Sequence, residues 1–187
     1  MEDHQILPRM VEENQVEGLI VMGEISREYI RFMKEQTRIP IIFLDFYDKE
    51  LAEDAVISDN FYGMYLLTEL LFERGYRKLA YVGSIHRTSS IMDRYCGFHK
   101  GMLEHGEDLP EEWLIEDRDR LGNIEFSVPE KLPEAFVCNC DLTAGRLILK
   151  LEKLGYKVPE VRFPLIFLKR RPLFARADRR VRSGKER

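Results

Sequence analysis

The sequence predicts an α/β fold with doubly wound parallel sheets. Short apolar runs alternate with stripes at helical spacing along most of the chain, which indicates strands alternating with helices. Glycine follows several of the predicted helices, where it permits the left-handed conformation of a helix end. The 187 residues are 44% hydrophobic, which is enough to bury a core.

The first part of the chain has helix, strand, helix and strand patterns in that order. Residues 4–15 have helical spacing, and the apolar run at 18–23 predicts a strand buried on both faces. Ser26 offers its hydroxyl as the N-cap of a helix that ends near Gln36. The run IIFLDF at 41–46 predicts a second buried strand.

The stretch at 58–83, SDNFYGMYLLTELLFERGYRKLAYVG, predicts a polar start, a helix and a strand. Asp59 or Asn60 can cap the helix, whose apolar residues recur at helical spacing. Gly75 ends the helix, and residues 78–83 predict the strand. With the strand before it, this stretch forms a βαβ unit, which requires a right-handed crossover in a parallel sheet.

The rest of the chain continues this alternation. A polar loop leads to a helix at about 94–105, and residues 111–117 predict a short strand. Periodicity is poor at 118–133, and no element is assigned there. Residues 134–141 predict a strand that runs into a polar turn, which is followed by a helix at 142–154.

Charge divides the chain at about residue 161. Residues 161–187 hold ten Lys or Arg and two Asp or Glu, a net charge of +8, whereas residues 1–160 carry a net charge of −12. The acidic main body argues against a broad nucleic-acid-binding surface there. The basic tail permits two interpretations: phosphate contacts by its arginines, or a solvated extension, which is favoured.

Several classes of protein are disfavoured. No segment has the roughly 20 apolar residues of a membrane-spanning helix, and the polar start argues against a secretory leader. Cys96, Cys138 and Cys140 fit reduced thiols in a cytoplasm, and Cys138 and Cys140 lack a second ligand pair at zinc spacing. No phosphate-binding loop or nucleophile elbow occurs. We therefore expect a cytoplasmic protein that is not an enzyme and has no metal, cofactor or membrane partner.

Polar residues follow three of the predicted strands. They are SDN at 58–60, which comes after the short apolar run AV at 55–56, SIHRTSSIMDR at 84–94, which comes after LAYVG, and CNCD at 138–141, which comes after AFV. In open parallel sheets, ligands bind beyond the carboxyl ends of the strands, so we expect these segments to form the site. Carboxylates accept from neighbouring hydroxyls and arginine donates in a planar fork, which suits a hydroxyl-rich small molecule, a sugar or a nucleobase-like effector.

Five segments occur in the order found in one family. They are VEGLIVMG, IPIIFLDF, VISDNFYGMYLLTELLFERGYRKLAYVG, SSIMDRYCGFHKGMLEHG and LPEAFVCNCDLTAGRLILKLEKLGYKVPE. With them the chain resembles the effector-binding domain of LacI/GalR bacterial transcription regulators, over roughly residues 1–160. The resemblance implies two lobes of the periplasmic-binding-protein type, with an effector in the cleft and a homodimer that positions DNA-binding heads.

The resemblance also implies roles for four residues. Arg94 takes the place of the family's ligand-binding arginine, Ser90 that of a pocket hydroxyl or amide, and Asp59 that of a polar residue at the lobe crossover. Asp141 stands beside a further pocket-lining turn. Each has a simpler alternative: a surface ion pair for Arg94, a solvated loop for Ser90, and helix capping for Asp59 and Asp141.

The chain departs from the family pattern at both ends. A helix-turn-helix and the first strand and helix have no counterpart, and after KVPE the expected strand and Gly-Phe-Asp turn are replaced by a basic sequence. We therefore expect two incomplete lobes, at 1–58 and 59–160, and a basic tail at 161–187 outside the fold. A changed reading frame or a truncated gene would explain that tail.

Three functions follow from these patterns. The first is an effector-binding domain of a LacI-type regulator, which would contact DNA only through a helix-turn-helix that this chain lacks. The alternatives are a sugar-binding protein of a transport system and a non-functional remnant of a regulator. Absence of a secretory leader favours the regulator over the transport protein.

Overall fold

The computed structural model describes residues 6–23, 25–51, 54–156 and 165–166. The elements, in chain order, are α1 (Arg9–Glu12), β1 (Leu19–Met22), α2 (Arg27–Gln36), β2 (Ile41–Leu44), β3 (Asp54–Val56), α3 (Asn60–Glu73), β4 (Leu79–Val82), α4 (Ser89–Glu104), β5 (Leu114–Ile115), β6 (Ala135–Cys138), α5 (Asp141–Lys153) and β7 (Leu165–Ile166). A 3-10 turn at Glu111–Trp113 precedes β5. The predicted α/β class is confirmed.

The strands form two separate parallel sheets. The first has the order β1-β2-β3, with Leu19 opposite Ile41 and Ile42 opposite Asp54. The second has the order β5-β4-β6-β7, with Leu79 opposite Ala135. Because β3 and β4 lie in different sheets, the predicted βαβ unit through α3 is wrong, and α3 instead connects the two sheets. The sheets and the helices that cover them define a first lobe, which contains β1–β3, and a second lobe, which contains β4–β7.

Helices cover the second sheet on both faces, as in a doubly wound fold. On one face, Leu79 and Tyr81 of β4 pack in a cluster with residues of α3 and α4. On the other face, Ala80 and Val82 pack in a cluster with residues of α5. All of β4 and β6 is buried, because alternate residues of each strand face opposite helical layers.

The first sheet is covered differently. Val21, Ile41 and Phe43 pack with α2, but Ile20 and Met22 on β1 are 72% and 67% exposed. The prediction that strand 18–23 is buried on both faces is therefore wrong. Among the described residues, α2 packs on one face only, so alternate side chains of β1 point away from the core.

Two other predictions need correction at their boundaries. Helix α4 begins at Ser89 rather than at residue 94, because the Thr88 hydroxyl accepts a hydrogen bond from the Ile91 amide and caps the helix. The predicted tail is not wholly outside the sheet, because Leu165 and Ile166 pair with β6 through parallel backbone bonds. Residues 167–187 lie outside the described residues, and the three-part division of the chain stays a prediction.

Helices α3 and α4 pack closely through glycine. A Cβ built on Gly97 would lie 2.1 Å from the Phe61 carbonyl oxygen, and one on Gly101 would lie 2.7 Å from Thr68 Cγ2. Because α4 carries much of the site, this contact fixes where the site residues lie. Among the helices of the described residues, none has the length and apolar character needed to cross a membrane.

Candidate functional site

A cavity of about 270 Å³ lies between the two lobes, where the carboxyl ends of β1, β2 and β6 meet the start of α4. The first lobe lines it with Met22, Gly23, Asp45 and Phe46. The second lobe lines it with Thr88, Ser90, Ile91, Arg94, Arg118, Asn139 and Cys140. Ligands of parallel α/β sheets bind at this edge, and the volume of the cavity suits a small molecule.

Arg94 forms part of the cavity wall and contacts both lobes. Its Nε donates to Asn60 Oδ1 at 2.8 Å, and Nη1 donates to the Asn139 carbonyl oxygen at 3.0 Å. Its Nη2 lies 3.8 Å from Asp45 Oδ1 in the first lobe. The side chain is only 15% exposed, so the guanidinium points into the cleft and away from bulk solvent.

Asp45 holds an unusual backbone conformation at the end of β2. Its φ is 64°, in the left-handed region that most residues avoid and that Asp and Asn tolerate best. The Asp45 amide donates to the Val56 carbonyl oxygen at 2.8 Å, which ties this turn to β3. The turn directs a half-exposed carboxylate towards the cavity and towards Arg94.

The start of α4 also contacts the first lobe beside the cavity. The Tyr47 amide donates to Ser89 Oγ at 2.8 Å, and the Tyr47 hydroxyl donates to Asp93 Oδ1 at 2.9 Å. The hydrogen bond to Asp93 raises the pKa of Tyr47 above its usual value, and partial burial acts in the same direction. These bonds bring the two lobes together on one side of the cavity.

Asn139, directly after β6, is 2% exposed and lines the cavity. Neither Oδ1 nor Nδ2 of its side chain has a hydrogen-bond partner among the described residues. A buried polar group without a partner costs about 1–3 kcal/mol. The unpaired Asn139 amide is therefore a local cost in the stability of this part of the second lobe.

A buried carboxylate supports the far wall of the cavity. Asp117 is fully buried, and its Oδ1 accepts from the Ser84 amide at 2.8 Å while Oδ2 accepts from the Thr143 hydroxyl. The Arg118 amide donates to Ser84 Oγ at 3.0 Å, which holds Arg118 at the cavity. Burial raises the pKa of the Cys138 thiol behind this wall, so that thiol is an inert core group.

The structure places the four predicted site residues in different surroundings. Arg94 and Ser90 line the cavity, and Ser90 is 5% exposed with its hydroxyl 3.2 Å from that of Thr88. Asp59 caps α3 by accepting from the Tyr62 amide at 3.0 Å, and it lines a separate, more open crevice. Asp141 is an exposed first residue of α5. Their roles in ligand binding stay predictions.

The structure supports the simpler interpretation for one of these four residues and not for the others. Asp59 has the capping bond that its simpler interpretation requires, whereas Asp141 does not cap α5, because Cys140 occupies the N-cap position. Ser90 is buried in α4 and is not a solvated loop residue. Arg94 does form an ion pair, but its partner is Asp45 of the first lobe. The Arg94 side chain is largely buried, so this is not the surface ion pair of the simpler interpretation.

Sequence reasoning missed three cavity residues. Asp45 lies inside the predicted strand at 41–46, whereas the observed β2 ends at Leu44, so Asp45 is in fact at a strand end of the kind that the rule selects. Asn139 lies in a turn that the rule did select, but nothing in the sequence indicated that Asn139 itself would line the cavity. Arg118 opens the segment without clear periodicity, so no pattern placed it.

Comparisons with known proteins agree with this fold. Residues 68–161, half of the chain, match the family described as the periplasmic binding protein-like domain. The chain is 27% identical to the HTH-type transcriptional repressor PurR of Vibrio parahaemolyticus over 158 residues, which cover 81% of this chain and 47% of that repressor. The PurR repressor of Glaesserella parasuis is 28% identical over 156 residues, which cover 81% and 46%. The chain thus spans about half the length of these relatives.

Solved structures show the same fold. The transcription regulator CcpA of Lactococcus lactis superimposes with a TM-score of 0.67 at 24% identity, over 82% of this chain and 58% of that one. A LacI family transcriptional regulator from Lactobacillus casei, solved with bound glucose, gives 0.62 at 17% identity, over 85% and 62%. At these identities the likeness establishes the fold alone. Each of these similar proteins is a transcriptional regulator.

Proposed function

This chain belongs to the periplasmic binding protein-like family and is an effector-binding domain of the LacI type, and we propose that it binds a small hydroxyl-rich effector, a sugar, between its lobes. The observation that carries the proposal is the position of Arg94, whose guanidinium lies on the cavity wall and reaches residues of both lobes. A ligand in this cavity touches both lobes at once. Its binding is therefore coupled to how closely they approach.

The cavity offers groups that match a sugar. Arg94 and Arg118 supply planar sets of donors, Asp45 supplies a carboxylate acceptor, and Ser90 supplies a hydroxyl. Phe46 and Ile91 add apolar surface for the carbon faces of a ring. A volume of about 270 Å³ favours a monosaccharide over a larger ligand. The glucose bound to the Lactobacillus casei regulator makes glucose a reasonable first probe.

We assign direct ligand contacts to Arg94 and Ser90. Asp59 and Asp141 lie outside the cavity lining, so any contribution they make to binding is indirect. The lobes that hold the ligand correspond to residues 1–58 and 59–160. The chain itself is a regulatory binding module rather than an enzyme, and it works in the cytoplasm.

The regulated activity requires more than this chain. We propose that ligand binding changes the approach of the lobes in a homodimer, and that this change alters how a helix-turn-helix outside these 187 residues meets DNA. The effector is thus a regulator of DNA binding and not a substrate. The main body has a net charge of −12 and contributes no broad DNA-binding surface.

Calorimetric titration of the full chain against D-glucose, D-galactose, D-ribose, adenine and hypoxanthine tests the proposal. We expect heat with at least one sugar, and loss of that heat in Arg94→Ala. Arg146→Ala is a matched control, because Arg146 is exposed on α5 and outside the cavity lining, and it should bind as the wild type does. If the folded wild type gives no heat of binding with any of the sugars, the proposal is contradicted.

A further inference from the structure

We propose that the effector is an acidic sugar, one that carries a phosphate or a carboxylate group, and that Arg118 is the specificity-determining residue that selects it. The proposal rests on the sugar-binding function assigned to the cavity between the lobes. It adds a requirement that this function does not contain, namely a negative charge on the ligand. A neutral sugar then binds in the same cavity more weakly than its acidic derivative.

The charge of the cavity is opposite in sign to that of the main body. Among the described residues that line the cavity, the charged ones are Arg94, Arg118 and Asp45, so two positive charges and one negative charge give a net charge of +1. Residues 1–160 as a whole carry −12. A positive cleft in an acidic body draws anions to that cleft. Neutral hydroxyls require donors and acceptors but no excess of positive charge.

The two cavity arginines are only loosely paired with carboxylates. Arg94 Nη2 lies 3.8 Å from Asp45 Oδ1, and Arg118 Nε lies 4.0 Å from Asp117 Oδ2. Ion pairs away from the cavity are shorter, at 2.6, 2.7 and 2.8 Å for Arg9 with Glu13, Arg27 with Asp48, and Lys150 with Glu125. The two cavity side chains are 15% and 23% exposed, so their charges are largely removed from water. Partial burial of a loosely paired charge is costly, and an anionic ligand supplies a closer partner.

Arg118 is held at the cavity with donors to spare. Its Nη1 donates to the Gly122 carbonyl oxygen at 3.2 Å, which among the described residues uses one of the five N–H donors of the guanidinium. Asp117 is fully buried behind the wall, where its two oxygens accept from the Ser84 amide and the Thr143 hydroxyl. The carboxylate nearest to Arg118 is therefore already hydrogen-bonded. The remaining donors of the planar guanidinium suit a phosphate or a carboxylate, which it binds through two parallel bonds.

The cleft has room for a substituent on the sugar ring. A second cavity of about 180 Å³ lies between the lobes and shares part of its lining with the first, including Thr88. Arg87 lines this second cavity, and its Nη2 lies 2.9 Å from the position of a Cβ built on Gly122. Arg87 and Arg118 thus both lie beside Gly122, one in the lining of each cavity. An acidic group at this end of the cleft has a further positive charge close to it.

Calorimetry on the full chain tests the requirement for charge. It compares D-glucose, D-galactose and D-ribose with glucose-6-phosphate, galactose-6-phosphate and ribose-5-phosphate, and the two hexoses also with glucuronate and galacturonate. We expect at least one acidic sugar to bind roughly tenfold or more tightly than its neutral parent. The phosphate and carboxylate series identify which acidic group the effector carries. Neutral sugars that bind as tightly as all of their acidic derivatives would overturn the proposal.

Arg118→Ala assigns the preference to this residue. We expect the affinity for the acidic sugar to fall roughly tenfold further than that for the neutral parent. A merely structural role would lower both affinities alike and leave their ratio unchanged, which would contradict the proposal. Arg120→Ala is the matched control, because it makes the same change in net charge at an exposed residue outside the cavity lining. That variant should keep the wild-type ratio.

Two milder substitutions separate charge from hydrogen bonding. Arg118→Lys keeps the positive charge without the planar fork and should retain part of the preference for the acidic sugar. Arg118→Gln keeps a donor without the charge and should lose the preference. Equal ratios in these two variants would argue against selection by charge. Circular dichroism melts establish that each variant is folded.

Failure of this inference is distinguishable from failure of the proposed function. If the folded wild type binds no sugar, neutral or acidic, the proposed function is contradicted, and this inference with it. If it binds neutral sugars without a preference for their acidic derivatives, this inference alone is contradicted.

Discussion

The Arg94 guanidinium of the second lobe lies 3.8 Å from the Asp45 carboxylate of the first lobe, measured from Nη2 to Oδ1. The same guanidinium makes two shorter bonds within its own lobe, at 2.8 and 3.0 Å. Because the Asp45 side chain is 49% exposed, the ion pair between the lobes contributes at most about 1 kcal/mol. The lobes can therefore separate at this point at small cost, while Arg94 keeps its place.

The two bonds within the second lobe predict that Arg94 also stabilises the fold. Arg94→Ala leaves Asn60 Oδ1 and the Asn139 carbonyl oxygen without this donor, and we expect a loss of about 1–3 kcal/mol in the free energy of unfolding. Urea denaturation measures the loss. Exposed Arg146→Ala should change the value by no more than about 0.5 kcal/mol. Similar losses in the two variants would contradict this account of Arg94.

Asp45 permits a test that separates backbone strain from charge. Asp45→Gly and Asp45→Ala both remove the carboxylate, but only alanine resists a φ of 64°. We expect Asp45→Ala to unfold more easily than Asp45→Gly by about 1 kcal/mol, as measured by urea denaturation. Effector affinity should fall in both variants alike, since both lose the acceptor. An alanine variant as stable as the glycine variant would argue against backbone strain at this turn.

The general position of the site could be predicted from the sequence, because the carboxyl ends of parallel strands share one edge. This rule selected the segments that contain Ser90, Arg94 and Asn139, and all three line the cavity. It also selected Asp141, which does not, because the chain turns into α5 at Cys140 and leaves the next side chain exposed. The direction of one side chain at a helix start depends on local backbone geometry that spacing does not encode.

Other features of the site depend on contacts between distant segments. The pairing of Tyr47 with Ser89 and Asp93 joins residues more than forty positions apart, and no local pattern indicates it. The early start of α4 has a local cause, the capping hydroxyl of Thr88, but the polar run at 84–93 also fits a loop. Exposure of Ile20 follows from which helices cover the first sheet, which composition does not reveal.

The bond between Tyr47 and Asp93 predicts a pH dependence at alkaline pH. The folded pKa of Tyr47 lies above its ordinary value of 10.0, mainly because the hydroxyl donates to Asp93. A raised folded pKa means that the contribution is fully present below the unfolded pKa and is lost as pH rises through the folded pKa. The advantage in stability of the wild type over Tyr47→Phe should therefore decline only above about pH 10.

Unfolding measured in steps from about pH 8 upward checks this for the wild type and Tyr47→Phe. Asp93→Asn supplies the control, because the neutral amide removes the charge that favours the protonated hydroxyl. In that variant the Tyr47 pKa, followed by tyrosinate absorbance against Tyr47→Phe, should move back towards 10.0. An unchanged titration in Asp93→Asn would show that the bond between the lobes does not control this group.

Substitution by alanine should have opposite effects on stability at Gly97 and Gly145. A Cβ on Gly97 would lie 2.1 Å from the Phe61 carbonyl oxygen, a backbone atom that cannot yield without separating α3 from α4. Gly97→Ala should therefore cost about 3 kcal/mol or more. Gly145 lies within α5, and a Cβ added there would have no neighbouring atom within 4 Å, so Gly145→Ala should stabilise by about 0.5–1 kcal/mol.

Since α4 carries Ser90 and Arg94, Gly97→Ala should also weaken effector binding, whereas Gly145→Ala should not. Thermal melts and calorimetry on both variants decide this, and a stable, tightly binding Gly97→Ala would contradict the close packing of the two helices.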